Sequence, residues 1–280
     1  GLTEFLRGSI LTGFPWNLIV YSLSEKLNII SIISVIGTYS LNLISISFFA
    51  APALYIYRKS KKEIFTCILL LLLPILFYTN GAIQKKEFLN SPVKENPFKI
   101  RVISSNISLD RFYQNIETEI VIKELISISS PERDKKTLFI WPEGIIPNTY
   151  QDEFYLYEKI IKENFDENHI IGLGITSRDL IDDKYKYFNS FSIFDNNLNL
   201  IKNYNKIKLV PFGEFLPLEN VLSRIGLKVI TNNFESYTKG ENPKIISIQN
   251  SFGELKFLPL ICYEIIYSGN FNENNNYDFI

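Results

Sequence analysis

Histidine is almost missing from this chain: among 280 residues, His169 is the only one. Ser-His-Asp and Cys-His catalysis therefore lack their general base, and a zinc site built on imidazole lacks ligands. Cysteine is scarce as well. Cys67 sits inside an apolar run and Cys262 in a distant, different kind of sequence, so the two do not read as a disulfide framework and say little about redox compartment. Excess charge is also absent. The net charge is −1, and no basic patch carries interleaved aromatics, so nothing points to a nucleic-acid partner. Any chemistry must run on carboxylates, lysines, hydroxyls or a thiol.

Charge is missing locally too. "NIISIISVIGTYSLNLISISFFAAPALYIY", Asn28 to Tyr57, contains no charged residue. About 20 apolar residues cross a bilayer core, so this run predicts a transmembrane helix. "IFTCILLLLLPILFYTNGAI", Ile64 to Ile83, predicts a second, kinked at Pro74. Ser9 to Leu23 is apolar but broken by Gly13 and Pro15, and fits either a span or a re-entrant segment. Between the two strong spans lies "RKSKKE", Arg58 to Glu63, with four basic residues in six. Short basic loops stay cytoplasmic, which sends everything after about residue 85 to the opposite side. The N-terminus lacks the basic region and small-residue cleavage site of a secretory signal peptide.

Composition shifts near residue 90. Residues 1–83 read as a transmembrane helical region, 84–97 ("QKKEFLNSPVKENP") as a linker, and 98–280 as a separate domain. In that domain β-branched runs alternate with helical patterns. Strands are expected at 99–105, 137–141 and 169–176, then a hairpin around Asn196-Asn197, and two more strands in "KIISIQ" and "ELKFLPLI". Helices are expected at 113–129 and 153–165. The alternation predicts an α/β layered domain.

Three segments place reactive side chains after strands. In "LFIWPEGIIP", Glu143 follows Trp141 and Pro142 at the mouth of a strand, where lost solvation suits a general base; a helix cap or a solvated carboxylate fits the spacing too. In "YNKIKLVPFGEFLP", Lys206 and Lys208 precede a Pro-Phe-Gly turn and Glu214. A lysine there would stabilise an oxyanion, or simply lie on the surface. In "ICYEI", Cys262 ends an apolar strand with Glu264 two residues on. A thiol so placed is either a nucleophile or a buried core residue.

Glu, Lys and Cys in that order, each after a strand, resemble the triad of the nitrilase superfamily. "GFPWN" (13–17), "WPEGIIP" (141–147), "YNKIKLVPFGEFLP" (204–217) and "ICYEI" (261–265), behind membrane spans, resemble more narrowly the bacterial apolipoprotein N-acyltransferases. The resemblance covers essentially the whole chain. It implies transmembrane helices followed by an α/β nitrilase-like domain, an αββα sandwich, on the periplasmic side of a multi-pass protein of the inner membrane. By motif position it makes Glu143 the general base, Lys206 the oxyanion-stabilising lysine and Cys262 the nucleophile. Glu214, Tyr263, Glu264 and Trp141 would line or support the site. The family's first strand is usually followed by Gln-Gly-Asn/Asp-Ile-Pro and a tryptophan. Here it is followed by "ISSNISLDRFY", with Phe112 and Tyr113 where that tryptophan falls, so Tyr113 joins the supporting set. The family also has more spans before "GFPWN" and more strands after "ICYEI". The expectation is a fragment lacking both ends, its sandwich truncated at the C-terminal side.

The implied reaction has two steps. Cys262 takes an acyl group from a membrane phospholipid, then passes it to the N-terminal amine of a lipid-modified apolipoprotein. It needs no metal and no organic cofactor. A monomer working among membrane lipids is expected. The same triad would also serve a membrane-anchored nitrilase-type amidase, with water as acceptor, and a catalytically inactive membrane scaffold is the reading from another class.

Overall fold

The charge-free run from Asn28 to Tyr57 is not one helix. The computed structural model describes residues 1–10, 17–92, 98–108, 117–222, 224, 236–241, 245–250, 253–266 and 277–280. It divides the chain into two units, Gly1–Lys94 and Glu95–Ile280. In the first unit, after α1 (Leu2–Ser9), the run is broken at Gly37. The glycine holds φ at 79°, a left-handed backbone that a side chain would strain. Two single turns precede it, α2 (Leu27–Ile30) and α3 (Ile33–Ile36), and α4 (Thr38–Ile56) follows. The segment long and apolar enough to cross a membrane is therefore the 19 residues of α4 rather than the whole run.

α5 covers Lys61–Asn90. A capping box starts it, with the Ser60 N–H donating to Glu63 Oε2 at 3.0 Å. It continues through residues 84–90, which their charge had assigned to a linker. "QKKEFLN" contains no breaker, and Pro92 comes only after the helix has ended. α4 and α5 are long and apolar enough to cross a membrane, and only 22% and 17% of their apolar windows are buried within the chain. A soluble core helix would be mostly covered. Phe49, Leu72, Ile75 and Leu76 are exposed, as lipid-facing side chains would be. Inside the unit, Val20 N–H donates to the buried Asn42 Oδ1 at 3.0 Å, and Cys67 Sγ donates to Ala51 O at 3.4 Å, tying α5 to α4. Residues 13–16 of "GFPWN" lie outside the described residues, so the run from Ser9 to Leu23 is seen only at its ends.

The second unit is layered. β1 (Lys99–Val102), β2 (Thr137–Glu143) and β3 (His169–Ile181) run parallel, with α6 (Thr118–Ser129) and α7 (Glu158–Asn164) in the connections. β4 (Lys184–Phe194) and β5 (Leu200–Asn205) return antiparallel, giving one sheet in chain order. A second sheet pairs β6 (Ile246–Asn250) with β7 (Gly253–Phe257). Side-chain alternation assigns the two faces of the first sheet. Phe139 and Trp141 of β2 pack with Val121 and Leu125 of α6 and with Phe165. Leu138 and Ile140, between and beside them, pack against Ile248, Leu255 and Phe257 of the second sheet. Among the described residues the layers are helix, sheet and sheet, which is the α/β class expected.

Boundaries differ in informative places. β1 is shorter than expected and β3 longer. β3 and β4 form a hairpin through Asp182 and Asp183, both left-handed at φ 52° and 57°. Asp-Asp is a weaker hairpin signal than Asn-Gly, although its geometry is the same primed turn. The helix expected at 153–165 is a 3₁₀ stretch, Gln151–Tyr157, followed by α7. α6 begins at Thr118, and the first residues expected in it, 113–116, lie outside the described set.

Candidate active site

Glu143 stands at the C-terminal end of β2, where the pairing with β3 shifts register between Trp141 and Glu143. Opposite it lies Gly174. A Cβ at Gly174 would sit 2.5 Å from Glu143 Cα, so the bulge closes only over glycine. The Gly144 N–H donates to Gly174 O at 3.1 Å and anchors the turn beyond. Glu143 is thus held at the mouth of parallel strands, with 39% of its side chain accessible. Crevices at the carboxyl ends of such strands are where α/β sheets place their chemistry.

Lys206 follows the last residue of β5. Its backbone N–H donates to Asn189 O at 2.8 Å and extends the β4–β5 pairing by one step. The side chain is only 1% exposed. A buried ammonium needs partners, and Lys206 Nζ has Glu214 Oε1 at 2.8 Å and Glu143 Oε1 at 3.9 Å. The Tyr263 ring lies 5.2 Å from Nζ and adds a cation–π contact. Glu214 is fixed by its own loop: its Oε2 accepts from Val210 N–H at 2.7 Å and its N–H donates to Val210 O at 2.8 Å. The loop turns through Phe212, at φ 63°.

Asn189 was not foreseen from the sequence. Its Nδ2 donates to Glu143 Oε1 and to Glu214 Oε1, each at 2.6 Å. The available signal was the polar pair Asn189-Ser190 inside the apolar strand "YFNSFSIF". Both are buried, and Ser190 continues the polar path to Ser177 at 2.7 Å and to Asn205 Oδ1 at 2.7 Å.

Cys262 opens a 3₁₀ turn, Cys262–Ile266, after a four-residue loop that follows β7. It adopts a left-handed backbone, φ 55°, and its thiol residue is exposed. Burial as a core cysteine is thereby ruled out. Glu264 pins the turn from behind, although it is only 4% exposed. Its Oε1 accepts from the Ile207 and Lys208 N–H groups at 2.8 and 2.9 Å. Its Oε2 accepts from the Ile261 N–H at 2.8 Å and from Tyr204 Oη at 3.0 Å. Burial, then the charge of Glu264, pushes the Tyr204 phenol well above its ordinary range, so it remains a donor.

Glu143 and Cys262 line the same cavity of 290 Å³, whose walls are otherwise mainly apolar, including Leu138, Ile140, Phe191, Phe257 and Ile261. A strap from Ser236 to Gly240 crosses beside the charged group. Tyr237 N–H donates to Glu214 O at 2.7 Å and Gly240 N–H to Lys206 O at 2.8 Å. Burial raises the Tyr237 phenol, opposed by its hydrogen bond with Thr176 and reinforced by the charges of Glu214 and Glu143. Trp141 is among the lining residues, yet its indole is buried in the helix-side core and donates to Ser129 Oγ at 3.0 Å, so it supports the strand. Tyr113 and Phe112 lie outside the described residues. The lone histidine belongs to the opposite end of β3, where His169 Nδ1 accepts from Asp166 N–H at 3.0 Å.

Two family models match the chain. Residues 1–51 match the apolipoprotein N-acyltransferase N-terminal domain, and residues 108–274 match carbon-nitrogen hydrolase. An apolipoprotein N-acyltransferase of Rhodopseudomonas palustris is 28% identical over 98% of this chain and 52% of its own length. One of Bradyrhizobium diazoefficiens is 29% identical over 96% of this chain and 51% of its own. The chain therefore spans about half the length of these relatives. The crystal structure of an N-terminal amidase aligns with a TM-score of 0.36 and 16% identity, over 59% of this chain and 39% of its own.

Proposed function

The chain belongs to the carbon–nitrogen hydrolase family, and from that premise we propose that it is an apolipoprotein N-acyltransferase working through a cysteine thioester. The observation that carries this reading is Cys262, exposed on a left-handed turn and sharing one cavity with Glu143, in a chain that also has two membrane-length helices.

Glu143 accepts the thiol proton and the Cys262 sulfur attacks the acyl-ester carbonyl of a phospholipid. Lys206 and the backbone N–H of Tyr263 steady the oxyanion. The C–O bond breaks, the lysophospholipid alkoxide takes the proton back from Glu143, and a thioester remains. The N-terminal amine of a lipid-modified apolipoprotein then attacks that thioester. Glu143 removes a proton from the amine, the C–S bond breaks, and the thiol is restored. Both substrates carry acyl chains, which accounts for the pairing of this site with membrane helices. The basic segment Arg58–Lys62, at the α4–α5 connection, supports a cytoplasmic position for that connection and a periplasmic one for the catalytic unit.

The test is the intact mass of the full chain purified with phospholipid, with and without hydroxylamine. A hydroxylamine-labile fatty acyl group on Cys262, absent in Cys262→Ala and transferred to an N-terminal diacylglyceryl-cysteine peptide, is the expected result. Fatty acid released to water with no acylated peptide would replace this reading by the hydrolase. No adduct and no turnover would remove the acyl-enzyme altogether.

A further inference from the structure

Two carboxylates of the site converge on one amide. Glu143 comes from the end of β2 and Glu214 from the loop after β5, yet an oxygen of each lies 2.6 Å from the same nitrogen, Asn189 Nδ2. An ionised carboxylate only accepts hydrogen bonds. The end of the Asn189 side chain that faces both must therefore be its NH₂, with one hydrogen for each. Asn189 is itself fixed: it lies in the middle of β4, is 9% exposed, and its carbonyl receives the Lys206 backbone N–H. The sequence pattern gave it no role, and the two-step reaction written above does not use it.

Resting on the acyl-enzyme reading, we propose that Asn189 is a positioning residue that clamps Glu143 and Glu214 through its amide and aims the free oxygen of Glu143 at the Cys262 thiol. Two carboxylates and one ammonium, Lys206, leave the group one negative charge in excess. Like charges brought together favour taking up a proton. Lys206 lies close to Glu214, at 2.8 Å, and only 3.9 Å from Glu143, so it favours the former. Asn189 supplies Glu143 with the near donor that the lysine does not. An amide has no proton to lose in the working pH range, so it does this without competing as an acid. Among the described residues, the other titratable groups that face Glu143 include Tyr237, on the strap, and the Cys262 thiol, which lines the same cavity.

Removing the two donors releases Glu143 from that position, so the Cys262 thiol must lose its proton to solvent, as an ordinary thiol does. The readout is the rate of Cys262 alkylation by iodoacetamide against pH, measured by peptide mass on the full chain in phospholipid–detergent micelles. Wild type, Asn189→Ala and Asn189→Asp are compared, with glutathione as a reference thiol. In both variants the pH midpoint for Cys262 should rise toward that of glutathione, a shift of about one unit that equals a tenfold change in the ionisation equilibrium. Asn189→Asp keeps the size of the side chain and carries the test if Asn189→Ala does not fold. A role in packing alone would lower the rate at every pH and leave the midpoint in place. A reactive wild-type Cys262 with unmoved midpoints in the variants overturns this inference and leaves the acyl-enzyme reading standing. A wild-type Cys262 no more reactive than glutathione overturns both.

Discussion

Glu264 accepts a hydrogen bond from the Ile207 backbone N–H at 2.8 Å, joining the turn that bears Cys262 to the segment that bears Lys206. The same carboxylate holds the Lys208 and Ile261 N–H groups and the Tyr204 hydroxyl. Cys262 and Lys206 lie far apart in sequence and in different connections, and this buried side chain bridges their segments. Glu264→Gln would turn an NH₂ toward two of these four donors whichever way the amide faces. Leaving them unsatisfied should cost about 2–4 kcal/mol. The expected outcome is a clear drop in the thermal midpoint of the detergent-solubilised chain, with loss of Cys262 acylation. A variant that melts like wild type and still acylates would show that the turn is held by something else.

Tyr204 completes that cradle, and its raised ionisation gives it a pH signature. Below about pH 10 folded and unfolded chains both keep the phenol proton, and the contribution of Tyr204 to stability is complete. Above that, the unfolded chain releases the proton while the folded chain retains it. Stability then falls as pH rises, by up to about 1.4 kcal/mol per unit. Tyr204→Phe should be less stable than wild type at pH 8, and the gap should narrow progressively above pH 10. Melting curves of the two chains between pH 8 and 11 measure this. A gap that stays constant would mean that Tyr204 does not hold its proton against Glu264.

What the sequence disclosed and what it hid divide along physical lines. Strands announced themselves by β-branched runs, and the one expected at 137–141 is β2, Thr137–Glu143. Glu143, Lys206 and Cys262 were legible because each follows a strand in a recognisable motif. Asn189 was not, since its role depends on β4 lying beside both β2's end and the Glu214 loop, a relation that local pattern does not encode. The break at Gly37 was hidden for another reason. Hydropathy counts apolar residues and is blind to a left-handed φ. Residues 84–90 were misjudged because charge was read as a sign of a loop, although Lys, Gln and Glu are good helix formers.

Gly174 tests how tightly Glu143, the proposed general base, is set. Its Cβ position lies 2.5 Å from Glu143 Cα and 3.1 Å from Glu143 Cβ, so Gly174→Ala must push β2 and β3 apart at the bulge. Displacements near 1 Å at a reacting group can cost about 10²-fold in rate. The destabilisation should stay within about 1–3 kcal/mol, the usual range for overpacking. The expected result is a folded chain whose Cys262 acylation slows by about two orders of magnitude. Wild-type acylation kinetics in Gly174→Ala would mean that Glu143 tolerates displacement, and the case for it as the base would weaken.

The proposed sidedness of the catalytic unit rests on one short loop and can be tested by itself. Arg58 and Lys59 lie between α4 and α5, and Lys61 and Lys62 open α5; both helices have apolar windows long enough to cross. Loops rich in lysine and arginine are retained in the cytoplasm. α5 then delivers everything after Asn90 to the other side, where a lipoprotein that has crossed the membrane presents its N-terminal amine. Alkaline phosphatase folds to an active enzyme only outside the cytoplasm. A fusion after Ser91 should therefore be active, and one after Lys62 inactive. The opposite pattern would put Cys262 on the cytoplasmic side, away from any exported acceptor, and would sink the proposed localisation while leaving the geometry of Glu143, Lys206 and Cys262 untouched.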